Sequence, residues 1–209
     1  MKFPAISILA VLLGITALPS EAHGQSSLGA DGVILGIKLR VGGRYDNVRM
    51  CVATPAGFKG GPAMDVSLFM DIGLTDRMSL GINLPVFRPI LFGAAFRMLQ
   101  FEPDVSLNFH HRVNDKLHLV AGPALGISLH YGPDYNSERS GDGRGSSFFA
   151  LGPRLGAYVG LDFVRPGKDF NFQLGLSPYV APLFSVGDAD RQRGVVVGGT
   201  LDGQFRFTP

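Results

Sequence analysis

The chain has 209 residues, of which 45% are hydrophobic and only 17% charged, with a net charge of +2. The charged share lies below the roughly 25% of an ordinary soluble protein. The net charge is too small and dispersed for a nucleic-acid surface, one cysteine (Cys51) excludes an intrachain disulfide, and 29 glycines without a three-residue period exclude collagen.

Residues 1–24 read as a secretory signal peptide. Lys2 is a short basic start, Ile6 to Leu18 is an apolar run, and small residues suit cleavage after Ala22 or after Gly24. The apolar run is shorter than the ~20 residues of a spanning helix. No cysteine lies near the cut, which argues against a lipid anchor. Residues 25–209 form a single domain, with no second apolar run long enough for a spanning helix. That domain is either soluble and exported, or crosses a membrane as strands.

Alternation with period two marks eight strands. Residues 32–41 set Val33, Leu35, Ile37, Leu39 and Val41 against Lys38 and Arg40. Cys51 falls in the long connection that follows, as a tolerated thiol or an intermolecular link. Residues 63–74 set Met64, Val66, Leu68, Met70, Ile72 and Leu74 against Asp65, Ser67 and Asp71. Residues 78–86 follow after a tight turn, with Leu80, Ile82 and Leu84 against Ser79, Gly81 and Asn83.

The next connection, residues 87–99, is apolar and carries Arg88 and Arg97. Two readings stay open there. The loop lies on a phosphate-rich glycolipid, with both guanidinium groups on phosphate, or it folds over the mouth as a plug.

Residues 101–113 set Val105, Leu107 and Phe109 against Glu102, Asp104, Ser106, His110 and Arg112. Residues 117–131 set Leu125, Ile127 and Leu129 against His118, Ser128 and His130. The three histidines lack metal-ligand spacing. Residues 149–163 carry Arg154, Tyr158 and Asp162 on the polar face, and residues 170–184 carry Asn171, Gln173 and Tyr179. A three-residue turn at 114–116 pairs Arg112 with His118 and Glu102 with Ser128. A four-residue turn at 165–168 pairs Asp162 with Asn171 and sets the Tyr158 ring over Gly175. Pro85, Pro123, Pro153 and Pro178 lie inside strands, where each removes a ladder donor. Pro123 and Pro153 mark either a shared bulge or a common strand pattern.

The last strand, residues 195–207, sets Val195, Val197, Leu201, Phe205 and Phe207 against Thr200, Asp202, Gln204 and Arg206. Its closing aromatics resemble the terminal strand of bacterial outer-membrane β-barrels, although the expected glycine stands one place late at Gly203, and Thr208 and Pro209 follow the final Phe. Short turns alternate with long connections, as in that class. The chain is similar to the small barrels of the outer-membrane protein A and X kind.

The fold expected is all-β, an eight-stranded antiparallel up-and-down transmembrane β-barrel. The large apolar face is too bulky for a narrow lumen, so it faces outward, and the polar face fills the inside. The lumen network is then Lys38, Arg40, Asp65, Asp71, Glu102, Asp104, Arg112, Arg154, Asp162, Asp202 and Arg206. These charges pair with one another or line an ion path. Aromatics collect at both strand ends, although Trp is absent.

The resemblance implies outer-membrane residence, both termini periplasmic, and a monomer whose partners are outer-membrane lipid and glycolipid and the barrel assembly machinery. It makes Phe205 and Phe207 the assembly signal. No catalytic, cofactor or metal residues are assigned. The His and Ser two residues apart of the lipid A deacylases are missing at Phe109-His110-His111-Arg112-Val113, and no G-x-S-x-G occurs. The function expected is non-enzymatic: four surface loops for envelope integrity or surface contact. A narrow channel or carrier for small or hydrophobic solutes comes second, and a lipid-modifying enzyme third.

Overall fold

A strand with large aliphatics on one side and polar groups on the other buries only one face, and eight such strands bury it by curling into a ring. The computed structural model describes residues 32–46, 60–87, 99–133, 147–165, 169–186 and 193–207. Its strands are β1 (Val33–Asp46), β2 (Gly60–Thr75), β3 (Met78–Phe87), β4 (Leu99–Phe101), β5 (Asp104–Asn114), β6 (Leu117–Pro133), β7 (Ser147–Phe163), β8 (Phe170–Ser185) and β9 (Arg193–Phe207).

All pairings are antiparallel, each stave pairs with its chain neighbours, and β1 pairs with β9. The staves therefore close into an up-and-down barrel, in which only the short β4 is paired on one side alone, with β6. The stave expected at 101–113 is broken at Glu102 and Pro103 into β4 and β5, which both pair with β6. Pro103 keeps a place in the ladder by accepting from the Ile127 amide, at 3.1 Å. Counted as staves, the barrel has eight.

Several staves run further than the alternation suggests. Residues 42–46 and 60–62, expected as loop, continue the ladder, with Arg44 opposite Gly61 and Tyr45 opposite Gly60. At 17 residues each, β6 and β7 exceed the about nine to eleven that a tilted strand needs to cross a bilayer. Of the register expectations, Arg112 pairs with His118, and Glu102 meets the Ser128 hydroxyl. The β7–β8 register differs by two: Asp162 stands opposite Gln173 and Gly160 opposite Gly175. That hairpin is wider than a four-residue turn. The Tyr158 ring still lies over Gly175, reaching it diagonally, and also over Gly160.

The β6–β7 ladder runs without a shift from Leu117–Phe163 to Pro133–Ser147, so Pro123 and Pro153 mark no bulge there. Pro85 does border one, where the β2–β3 register slips between Val66 and Ser67.

The burial is inside out for a soluble protein. Leu125 is 60% and Leu176 59% exposed, whereas Asp162 and Asp202 are 0%. Large aliphatics are exposed all round the ring, a surface that suits hydrocarbon and not water. Tyr45, Tyr131 and Phe184 are exposed toward the long connections, and Phe109, Phe163 and Phe207 toward the short turns. Residues 1–24, Cys51, Arg88 and Arg97 lie outside the described residues.

Candidate functional site: a filled lumen

The inward positions bring five basic side chains (Lys38, Arg40, Arg44, Arg154, Arg206) and six acidic ones (Asp65, Asp71, Glu102, Asp104, Asp162, Asp202) into the buried interior. They sort into three layers along the barrel.

At the short-turn end, Arg206 is hydrogen-bonded to Asp162 and reaches Asp71 at 3.2 Å. His118 pairs with Asp162 across the β6–β7 ladder. His110 Nε2 lies 2.8 Å from Ser79 Oγ.

The middle layer centres on Asp104. It accepts from Arg40 at 3.1 Å, from Arg154 at 2.9 Å and from Asn83 at 2.7 Å. Asp202 lies 3.6 Å from Arg40 and accepts from Ser177 and Thr200, each at 2.6 Å. Asp65 stands opposite Arg40 in the ladder. Arg154 also covers the Tyr179 ring at 4.3 Å. Lys38 sits between the Phe69 and Tyr158 rings, 5.6 Å from each. Ionised hydrogen bonds of this kind offset the cost of taking charges out of water, which a lone buried charge cannot do.

The upper layer runs Arg44 to Gln100 at 2.7 Å, Gln100 to Glu102 at 2.8 Å, and Ser128 to Glu102 at 2.7 Å. His130 Nε2 lies 2.7 Å from Ser128 Oγ and 3.3 Å from Glu102. Because Ser128 gives its proton to Glu102, its oxygen is left to accept from His130. In a hydrolytic triad the imidazole uses opposite nitrogens for nucleophile and carboxylate. Here one nitrogen faces both, and Ser128 and His130 are fully buried. The group is a closed hydrogen-bond cluster and not a relay.

Arg112 stands apart from the network. It lies at the rim, part exposed, bonded to Asp115 in its own turn. Its position is inward by parity, but the lumen ends below it. Arg44 and Gln100 belong to the network although both fall where the sequence suggests loop; continuing the alternation past Gly42 would have found Arg44. Among the described residues, no three His, Cys, Asp or Glu side chains group as metal ligands do. The space among Lys38, Asn83, Ser106, Tyr158 and Gln204 is about 20 Å³, room for about one water. Phe205 and Phe207 lie on the outer face, where Phe205 is 5.4 Å from Phe172 and Phe207 is 5.3 Å from Phe170, ring centre to ring centre.

No protein-family model matches the chain, and no curated protein matches it. Among solved structures, it is similar to Neisserial surface protein A, with 13% identity over 87% of this chain and 99% of that one and a TM-score of 0.54. The outer membrane protein AlkL gives 11% identity over 92% and 96%, with a TM-score of 0.47. Ail of Yersinia pestis gives 12% over 85% and 99%, with a TM-score of 0.41. The first of these likenesses shows a shared fold.

Proposed function

We propose that the chain is a non-enzymatic integral outer-membrane protein, a plugged barrel that holds four long connections at the cell surface for envelope integrity or surface contact. The observation that carries this reading is the lumen. Side chains bridge it from wall to wall through Asp104 and Arg206, which suits a rigid support better than an open path. The fold shared with a bacterial surface protein supports the placement. On this reading both termini are periplasmic and the short turns face the periplasm.

Three measurements test it. Detergent-purified protein runs at different apparent masses with and without boiling, because a closed hydrogen-bonded sheet resists detergent; identical mobility together with solubility in plain buffer overturns membrane residence. In planar bilayers the protein gives no unitary current steps, and lipid extracted after overexpression keeps its acylation pattern. Regular steps favour the second reading, a narrow channel or carrier. One observation speaks for that reading: the buried amide oxygens of Asn83 and Asn108 lack a protein partner, and such groups call for water.

The partners proposed are the assembly machinery, through Phe205 and Phe207, and surface glycolipid, through Arg88 and Arg97. Phe207→Asp puts a charge near the interface, where the thermodynamic cost is only ~0–1 kcal/mol. Its membrane level nevertheless falls severalfold if the last strand is read during assembly, and a normal level counts against that role. Arg88→Ala with Arg97→Ala weakens glycolipid binding; unchanged affinity leaves the loop as a plug.

A further inference from the structure

The lumen uses the inward face of β7, β8 and β9, and their outward face carries a second constellation. Phe163, Phe172 and Phe205 lie on one ladder row, and Phe170 and Phe207 on the row below. Phe163 and Phe172 stack with centres 6.2 Å apart, and Phe170 and Phe205 with centres 6.1 Å apart. Between them the surface is concave, lined by Phe163, Arg165, Phe170, Phe172, Leu174 and Phe205. Gly203, beside Leu174 in the ladder, puts no side chain over the hollow; a Cβ there would stand 3.7 Å from the Phe172 ring.

The rim above the short turns carries Arg165 and Lys116 together with the exposed acids Asp115 and Asp169. The Arg165 guanidinium lies 5.8 Å from the Phe170 ring centre and forms no ion pair among the described residues. Across the β6–β7 end the Lys116 carbonyl accepts from the Val164 amide at 2.9 Å, so Lys116 stands across from Val164 and Asp115 across from Arg165. The nearby acid Asp115 is engaged by Arg112. An interfacial belt usually ends in Trp or Tyr, whose N–H or O–H meets the headgroups. All five rings here are Phe and have no such handle. Among the described residues, the only polar side chain lining the hollow is the Arg165 guanidinium, a group that binds phosphate oxygens in pairs.

We propose that this hollow is a phospholipid site of the periplasm-facing leaflet: one acyl chain lies against the phenyl rings and Leu174, and the phosphodiester sits on Arg165. This rests on the membrane placement proposed above, which boiling-dependent mobility checks separately.

The test uses folded, delipidated protein in nonionic detergent, with dioleoylphosphatidylglycerol as probe and native mass spectrometry as readout. One retained lipid per barrel is expected for the wild type. Arg165→Gln and Phe172→Ala each lower its occupancy at least fivefold, while Arg77→Gln, at the exposed β2–β3 turn, leaves it unchanged. Dioleoylglycerol, with the same chains but no phosphate, and inorganic phosphate, with no chains, both fail to displace the lipid. Every variant is first shown to keep the mobility shift of the folded barrel. Wild-type occupancy in Arg165→Gln, equal loss in Arg77→Gln, or displacement by dioleoylglycerol overturns the site.

Discussion

Gly122→Val prevents the barrel from forming, whereas Gly43→Val leaves it intact. A Cβ at Gly122 would lie 1.8 Å from the Leu107 carbonyl oxygen and 2.8 Å from its carbon. Those atoms belong to the backbone of the neighbouring stave, so no rotamer change relieves the overlap. The staves would have to separate where β5 and β6 hold the ring together. The effect exceeds the ~1–3 kcal/mol of ordinary overpacking, because ladder bonds are lost as well as packing. At Gly43 the nearest atom to an added Cβ is the Gly61 carbonyl oxygen, at 3.9 Å, an ordinary contact. Gel mobility with and without boiling reads both variants. A mobility shift in Gly122→Val like that of the wild type would show that the staves part more easily than their closeness implies.

Arg206→Met has the second largest effect, a loss of ~3–5 kcal/mol, the cost of leaving a buried acid without its partner. Arg206 is 1% exposed and bonds to both Asp162 and Asp71. Removing it leaves two carboxylates in one dry layer with His118 and His110 nearby. Denaturant unfolding in detergent micelles measures the loss. Arg206→Met combined with Asp162→Leu recovers part of it, since the more deeply buried of the two acids that lost Arg206 is then gone. A double variant no more stable than the single one would place the main role of Arg206 elsewhere.

The fold was legible because a large aliphatic recurs at every second position through most staves, from Val33 to Val41 and from Met64 to Leu74. The stave ends were not. Past Val41 the chain reads Gly42, Gly43, Arg44, and glycines carry no side chain from which to read a face. The β7–β8 register was misread because counting residues in the turn assumes that pairing starts at its edges; instead it starts at Phe163 and Phe172. Parity identified nearly all the buried charges, yet it could not say which meets which. Arg40 finds Asp104 and Arg206 finds Asp71 across the lumen, between staves that are not ladder neighbours. Such partners depend on side-chain length and barrel radius. Parity also placed Arg112 inside, because it says nothing about where the lumen stops.

The pairing of β1 with β9 has a consequence for how the chain folds. Leu35 stands opposite Phe207, and the ion pair from Arg206 to Asp71 spans 135 positions. Loop closure must be completed before such contacts give any return, so high contact order makes the final step slow. Until the last stave arrives, β1 keeps an open edge, and neither Asp162 nor Asp71 has its cation. A chain truncated before Arg206 therefore stays unfinished at both its rim and its interior, and is left as a substrate for proteolysis. Closure and charge neutralisation coincide in one event, which makes β9 a checkpoint on the whole molecule.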